Sequence, residues 1–409
     1  MAKRIQTRYE SAGLFVGPSP ATGSHFANGL YGYTNLLSGS SGDNQIRPLF
    51  RVQSFSDSFD NPLQNVNQFG QATTLAKLAT SAPTPTFDFT YFTNNGLNEA
   101  ILGFPVSLDA STVAGNTTGL RNCLSGFFDS TNDSKNYFAQ FVPEGKSVYG
   151  DTSADDLDFV VCLSNGFITN YEVSASVGGF MESTVSVEGS NYVVNSDSTG
   201  NISPAIFPEN GDKVTGWQYD IPAISQDSTG AFAGAGSTMP AVIKQGGIKL
   251  NINTLSGNMG VNITESNINS FSVSVPVARD NLERLGSQFV FARPLQTPID
   301  GTVSFDFNVT DMATGSLVDL FNGTSNTEFD FSIVTAGSTG NSIDTDQFAI
   351  VVRGATFESE NTSLDIGSAR NGSVTFQVPL GTVDETGKGI FFSGAATQAD
   401  RNARYAGRS

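Results

Sequence analysis

One stretch of this chain occurs twice without a gap, and any fold must accommodate both copies. Val52-Gln53-Ser54-Phe55-Ser56-Asp57-Ser58-Phe59 runs on to Asn65 and Gly70, and Ile268-Asn269-Ser270-Phe271-Ser272-Val273-Ser274-Val275 runs on to Asn281 and Gly286. The offset is constant, 270 − 54 = 216 and 286 − 70 = 216. Two further blocks follow in the same order. Phe87-Asp88-Phe89 matches Phe305-Asp306-Phe307 at an offset of 218, and Phe159 to Val187 matches Phe348 to Phe376 at 189. The drop, 218 − 189 = 29, puts 29 extra residues in the first copy as a loop excursion, which folds tolerate well. Shared composition alone does not impose colinear order, so the blocks predict a duplicated domain.

Each copy reads as β structure. Phe55 and Phe59 alternate with Ser54, Ser56 and Ser58, and Phe271, Val273 and Val275 alternate with Ser270, Ser272 and Ser274. A period of two puts the apolar set on one face and the hydroxyls on the other. Thr86 to Phe92 repeats the pattern, with Phe87, Phe89 and Tyr91 inward and Asp88 and Thr90 outward. Leu97 to Leu102 predicts a short helix with Leu97, Ala100 and Ile101 on one face, and Leu317 to Phe321 is its counterpart. With 43 Gly, 32 Phe and only 15% charged residues, the chain is too apolar in its alternating runs for disorder. The expected organisation is mainly β: a first domain over 1–200, a linker over 201–240 broken by prolines, a second domain over 241–392 and a flexible tail over 393–409.

The formal charge of −18 argues against an ordinary nucleic-acid binder, which needs a basic patch for phosphate. His25, the single histidine, lies in a Gly/Ser-rich stretch and reads as a loop residue; no nucleophile elbow accompanies it. Cys123 and Cys162 lack zinc spacing, and Cys162 reads as a small core residue. Asp155, Asp156 and Asp158, and Asp344 and Asp346, read as solvated turns before equivalent strands rather than Ca²⁺ loops. No apolar run approaches a membrane span of about 20 residues, and Met1 to Gln6 does not open a signal peptide. The expectation is no enzyme, no cofactor and no metal.

Arg51 to Ser56, Asn65 to Gln71, Pro83 to Tyr91 and Asn98 to Phe104 together resemble the major tail protein, or tail tube protein, of long-tailed bacteriophages. The resemblance covers about 48–190 and, through the repeat, 241–392. It implies a β-sandwich or half-barrel with a flanking helix in each domain. It implies a virion protein, assembled in the host cytoplasm, whose subunits form stacked rings around a channel for the DNA genome. Single-domain relatives form hexameric rings; two domains per chain imply three chains, since 6 ÷ 2 = 3. Ser54, Ser56, Ser58 and Asp88, with Ser270, Ser272, Ser274 and Asp306, are the candidate lumen residues. Periodicity identifies this polar face, and outer solvent is the other surface it could meet. Arms at 60–82 and 276–300, including Asn65 and Gln71, and basic termini with Arg4, Arg8, Arg401, Arg404 and Arg408, are expected to contact a neighbouring chain or the next ring. The alternative is a secreted or surface β-sandwich adhesin or carbohydrate-binding protein, which predicts an export signal and independently folded modules.

Overall fold

The computed structural model describes residues 12–18, 46–107, 121–128, 134–142, 148, 159–195, 202, 204–206, 211–212, 221, 243–252, 267–308, 328–339, 342–363, 371–381 and 387–394. The first half contains β1 (Ala12–Pro18), β2 (Arg47–Pro48), β3 (Val52–Asp60), β4 (Leu63–Val66), β5 (Ala76–Ala79), β6 (Thr84–Phe92), helix α1 (Leu97–Leu102), β7 (Val106–Ser107), β8 (Lys135–Phe141), β9 (Phe159–Ser176), β10 (Glu182–Glu188) and β11 (Asn191–Asn195). The second contains β12 (Ile243–Ile252), β13 (Asn267–Pro276), β14 (Ile299–Asn308), β15 (Glu328–Thr339), β16 (Ser342–Ser363), β17 (Asn371–Leu380) and β18 (Gly389–Gly394). The fold is mainly β, and among the described residues strand pairing is antiparallel except between β7 and β18.

The strand pairings of the first half recur in the second, register included. Val185 of β10 lies opposite Tyr171 of β9, and Val374 of β17 opposite Glu360 of β16; 374 − 185 = 189 and 360 − 171 = 189. Phe89 of β6 joins Val185 as Phe305 of β14 joins Val374, so 305 − 89 = 216. Phe55 of β3 faces Phe89 as Phe271 of β13 faces Phe305, again 271 − 55 = 216. The outer strands follow: β8 on β9 matches β15 on β16, β1 on β8 matches β12 on β15, and β11 on β9 matches β18 on β16. Even the irregularities recur. The ladder slips between Ser186 and Val187 in one half and, at the equivalent place, between Phe357 and Ser359 in the other. Bulges persist because they re-aim a strand.

These pairings correct one sequence alignment. Phe305 corresponds to Phe89, not Phe87, so the middle block keeps the offset of 216 rather than 218. The repeated Phe-Asp-Phe tripeptide had drawn the match two residues out of step. A slip of two leaves every side chain on its own face, so alternation could not reveal it.

The long strands β9 and β16 each serve two layers. The N-terminal part of β9 pairs with β8 and β11, and its C-terminal part with β10 and β13. The switch occurs at Asn165, with φ 48°, and at Gly354, with φ 63°, where 354 − 165 = 189. Each left-handed residue donates its N–H to a side chain on the adjacent strand. Asn136 Oδ1 accepts at 3.0 Å and Asp330 Oδ1 at 2.8 Å. A polar side chain thus satisfies the backbone group that the kink removes from the ladder.

β13 pairs with β9, so the halves share one sheet in the order β16-β17-β14-β13-β9-β10-β6-β3. Beneath it runs one apolar core containing residues of both halves. Phe392 of β18 packs on Phe104 and Tyr171 with ring centroids 5.6 Å away in each case. Ile202, Ala205, Ile206 and Ile221 are buried, so these described residues of the expected 201–240 linker belong to the packed protein. Helix α1 is buried on all sides, including Asn98 and Glu99, not on one face as its spacing implied. The expected second helix, Leu317 to Phe321, falls outside the described residues.

Candidate functional face

The eight-stranded stretch of the sheet from β16 to β3 has one apolar face on the core and one polar face turned away from it. From β3 across to β16, the polar face presents Ser54, Ser56 and Ser58; Thr86, Asp88 and Thr90; Glu182, Thr184 and Ser186; Asn170, Glu172 and Ser174; Ser270, Ser272 and Ser274; Thr302, Ser304 and Asp306; Ser373 and Thr375; and Asn361 and Ser363. All are exposed or half-buried, while their alternates Phe87, Phe89, Val173, Val185, Val273, Val303, Phe305, Val374 and Phe376 are buried. The candidate serines of both halves therefore lie on one surface, joined through β9 and β10.

Hydroxyls on this face bond across strands. Ser54 and Thr90 share a hydrogen bond of 2.7 Å, as do Ser58 and Thr86, while Ser272 meets Ser304 at 2.8 Å. Ser270 donates to Asp306 Oδ2 at 2.6 Å. Cross-strand pairs of this kind stabilise a sheet by about 0.2–1 kcal/mol each. They also hold the uncharged hydroxyls in a mesh that includes the Asp306 carboxylate. Asp88 and Asp306 do not occupy matching positions, contrary to the sequence expectation. Asp88 corresponds to Ser304 and Asp306 to Thr90, since each strand pair repeats at 216.

Sequence reasoning missed Glu172 and Glu182, which share the face with both aspartates. Alternation with Tyr171, Val173 and Ser183 was the available signal; only the sheet order shows that these strands bridge the two serine rows. None of the eight stretches that form the face, 52–60, 84–92, 167–176, 182–188, 267–276, 299–308, 356–363 and 371–380, holds Lys, Arg or His. Carboxylates act over a Debye length of about 8 Å at physiological salt, so a polyanion beside this surface meets repulsion or neutral hydroxyls.

Two hairpins rise from equivalent edges. β4–β5 pairs Leu63 with Ala79 and Val66 with Ala76; bridges join Arg279 to Leu295 and Leu282 to Ala292 in the second half, each 216 residues on. The second hairpin lies on the first half. Arg293, 4% exposed, forms an ion pair with Glu188 at 2.5 Å and donates to the Gly189 carbonyl at 3.1 Å. Arg279 donates to the Ile168 carbonyl at 3.2 Å and covers the Phe167 ring, 4.9 Å from its centroid. The first hairpin is exposed throughout, including Asn65, Gln71, Leu63 and Leu78. Arg4, Arg8, Arg401, Arg404, Arg408, His25 and residues 155–158 lie outside the described residues.

Behind the face, Glu99 of α1 ties the helix to the sheet. Tyr91 and Tyr171 donate to Glu99 Oε1 at 3.0 and 3.1 Å, and Oε2 has no partner among the described residues. Burial pushes the carboxyl above its ordinary range, against the opposing pull of these donors. Cys123 and Cys162 are buried free thiols, and burial raises both well above the usual thiol range. Among the described residues no group of three or more His, Cys, Asp or Glu could hold a metal ion, and no helix is long and apolar enough to cross a membrane.

No protein-family model and no curated protein matches the chain. Among solved structures it is similar to the SPP1 tail tube, with a TM-score of 0.26 and 12% identity, over 39% of this chain and 84% of that one. The likeness is weak and partial.

Proposed function

We propose that this chain is a structural subunit of a long phage tail tube, forming stacked rings around a channel that conducts DNA during ejection. The observation that carries the reading is the continuous eight-stranded face of hydroxyls, amides and carboxylates without one basic residue. DNA must pass such a wall without being held, and a basic wall would trap it through counterion release. Two repeats in tandem supply two sixths of a ring, so three chains close it, and among the described residues the sheet ends at β3 with an edge that closure would pair. The tips of the two hairpins, Phe69 and Leu285, are fully exposed at 105% and 104%, even though the second hairpin is docked. Apolar tips that point away from the body suit contact with the adjacent ring, as do the basic termini against an acidic body. No metal, cofactor or catalytic centre enters this reading. An adhesin built of independent modules is less well supported, because β13 pairs with β9 across the repeat.

Negative-stain microscopy of the purified protein, with the mass of an isolated ring, tests the proposal. Rings or tubes with a central hole and three chains per ring are expected. Discrete globules, or six chains per ring, would overturn it.

A further inference from the structure

The duplication supplies an internal control for the open edge of the sheet. β3 and β13 are equivalent strands, yet β9 covers the outer edge of β13, whereas among the described residues β3 pairs with β6 alone. An uncovered edge is a template for indiscriminate strand addition, and proteins blunt such edges with Lys, Pro, bulges or inward-pointing charges. The nine residues of β3 include no Lys, Arg or Pro. Both strands carry the same bulge, at Val52/Ser54 and at Ile268/Ser270, so the bulge does not distinguish them. The core-side residues do. On β13 they are Phe271, Val273 and Val275, and on β3 they are Phe55, Asp57 and Phe59, since 273 − 216 = 57. A carboxylate points inward at the open edge where the covered edge has a valine.

Asp57 is anchored in that position. Tyr192 of β11 donates to Asp57 Oδ2 at 2.5 Å, and its ring meets Phe59 and Phe87 with centroids 5.7 and 6.4 Å away. Burial, and then the bond to Asp57, raises the Tyr192 phenol above its ordinary range, so it stays a donor. The repeat has no such pair. Tyr192 lies opposite Leu163 on β9 and Ile390 opposite Val352 on β16; 352 − 163 = 189, so Ile390 is the counterpart of Tyr192. Val273 and Ile390 are both 0% exposed, whereas Asp57 is exposed and Tyr192 half-buried. We propose that Asp57, positioned by Tyr192, guards the β3 edge of the free subunit against indiscriminate strand addition. A strand laid on this edge as β9 lies on β13 would enclose Asp57 as Val273 is enclosed. The carboxylate would lose its water and keep, among the described residues, the Tyr192 hydroxyl as its one donor. A single neutral hydrogen bond does not offset the desolvation of a charge. This guard goes beyond the tube reading and stands whether or not the chain forms rings.

Asp57→Val in the full chain tests this, because it installs the residue that the repeat itself uses. By sedimentation velocity and light scattering, the variant should self-associate at a concentration at least ~10-fold lower than the parent, since the desolvation penalty is gone. Asp57→Asn, which keeps the shape without the charge, should fall between the two. Tyr192→Phe lets the carboxylate swing away from the edge and should shift association in the same direction by less. Ser56→Val adds apolar bulk to the polar face of the same strand and should promote association far less than Asp57→Val. Hydrogen exchange on the associated Asp57→Val protein should show protection gained in β3, and the dilute variant should melt no lower than the parent. Unchanged association of folded Asp57→Val, equal promotion by Ser56→Val, or protection gained outside β3 each overturns the proposal. If Asp57→Val does not fold, Asp57→Asn decides, and association equal to the parent's overturns the guard. Microscopy of the parent chain tests the tube separately, so either reading can fail while the other stands.

Discussion

Removing the Arg293 side chain should undock the second hairpin while leaving the sheet folded. Arg293 is 4% exposed, and its guanidinium pairs with Glu188, donates to the Gly189 carbonyl and lies over Phe167 at 6.0 Å. Breaking a fully buried ion pair costs about 3–5 kcal/mol, because one charge is left without a partner. Glu188 remains 23% exposed in its side chain and can rehydrate, which lowers that cost. The lost cation–π contact adds back about 0.5–1 kcal/mol. A net cost of about 2–3 kcal/mol follows, equal to a rise of roughly 30- to 150-fold in the open fraction of the hairpin. Because β13 and β14 are held by their own ladders, the loss is local. Hydrogen exchange on Arg293→Ala should show faster exchange at Leu282 and Phe291, whose N–H groups bond within the hairpin, with β14 unchanged. Equal acceleration in β14, or none in the hairpin, would refute the idea that this ion pair clamps the hairpin to the first half.

Glu99→Gln tests the buried carboxyl. Its folded-state value is raised above the ordinary 4.5, so its contribution is complete below about 4.5 and is lost as pH rises through the folded value. The stability of the variant relative to the parent should therefore grow as pH rises above about 4.5 in urea titrations, and a constant difference would count against a raised carboxyl. Gly354→Ala places a Cβ at φ 63°, 2.7 Å from Lys388 Cγ; a loss of about 1–2 kcal/mol by thermal melting is expected from the left-handed backbone. Paired Ser56→Arg and Ser272→Arg substitutions touch only the polar face, so tubes should still assemble, while genome ejection slows, most at low salt; unchanged ejection kinetics would remove these serines from the lumen. β18 runs to Gly394, so the tail is tested by deleting 395–409, which should reduce polymerisation and leave the melting temperature of the subunit unchanged; tubes of normal yield and length would count against a role for the tail.

Periodicity was enough to assign the two faces of β3, β6, β13 and β14, because a strand alternates strictly and Phe, Val and Ser differ sharply in their preference for water. The constant offset between Ser54 and Ser270 likewise showed that one plan is used twice. Local pattern carries no information about which strand lies beside which. The pairing of β13 with β9 depends on residues nearly 100 positions apart, and it is what turns two serine rows into one surface and brings Glu172 and Glu182 onto it. The match of Phe87 to Phe305 went wrong for the same reason: a slip of two preserves every face, and only the hydrogen-bonded ladder distinguishes the registers. The spacing of Leu97, Ala100 and Ile101 gave α1 a single apolar face, since a six-residue segment cannot reveal that it will be enclosed on every side, Glu99 included. Sequence determined what each strand presents to water; the tertiary structure decided which strands become neighbours, because that choice is made by pairing and burial over long separations rather than by any local preference.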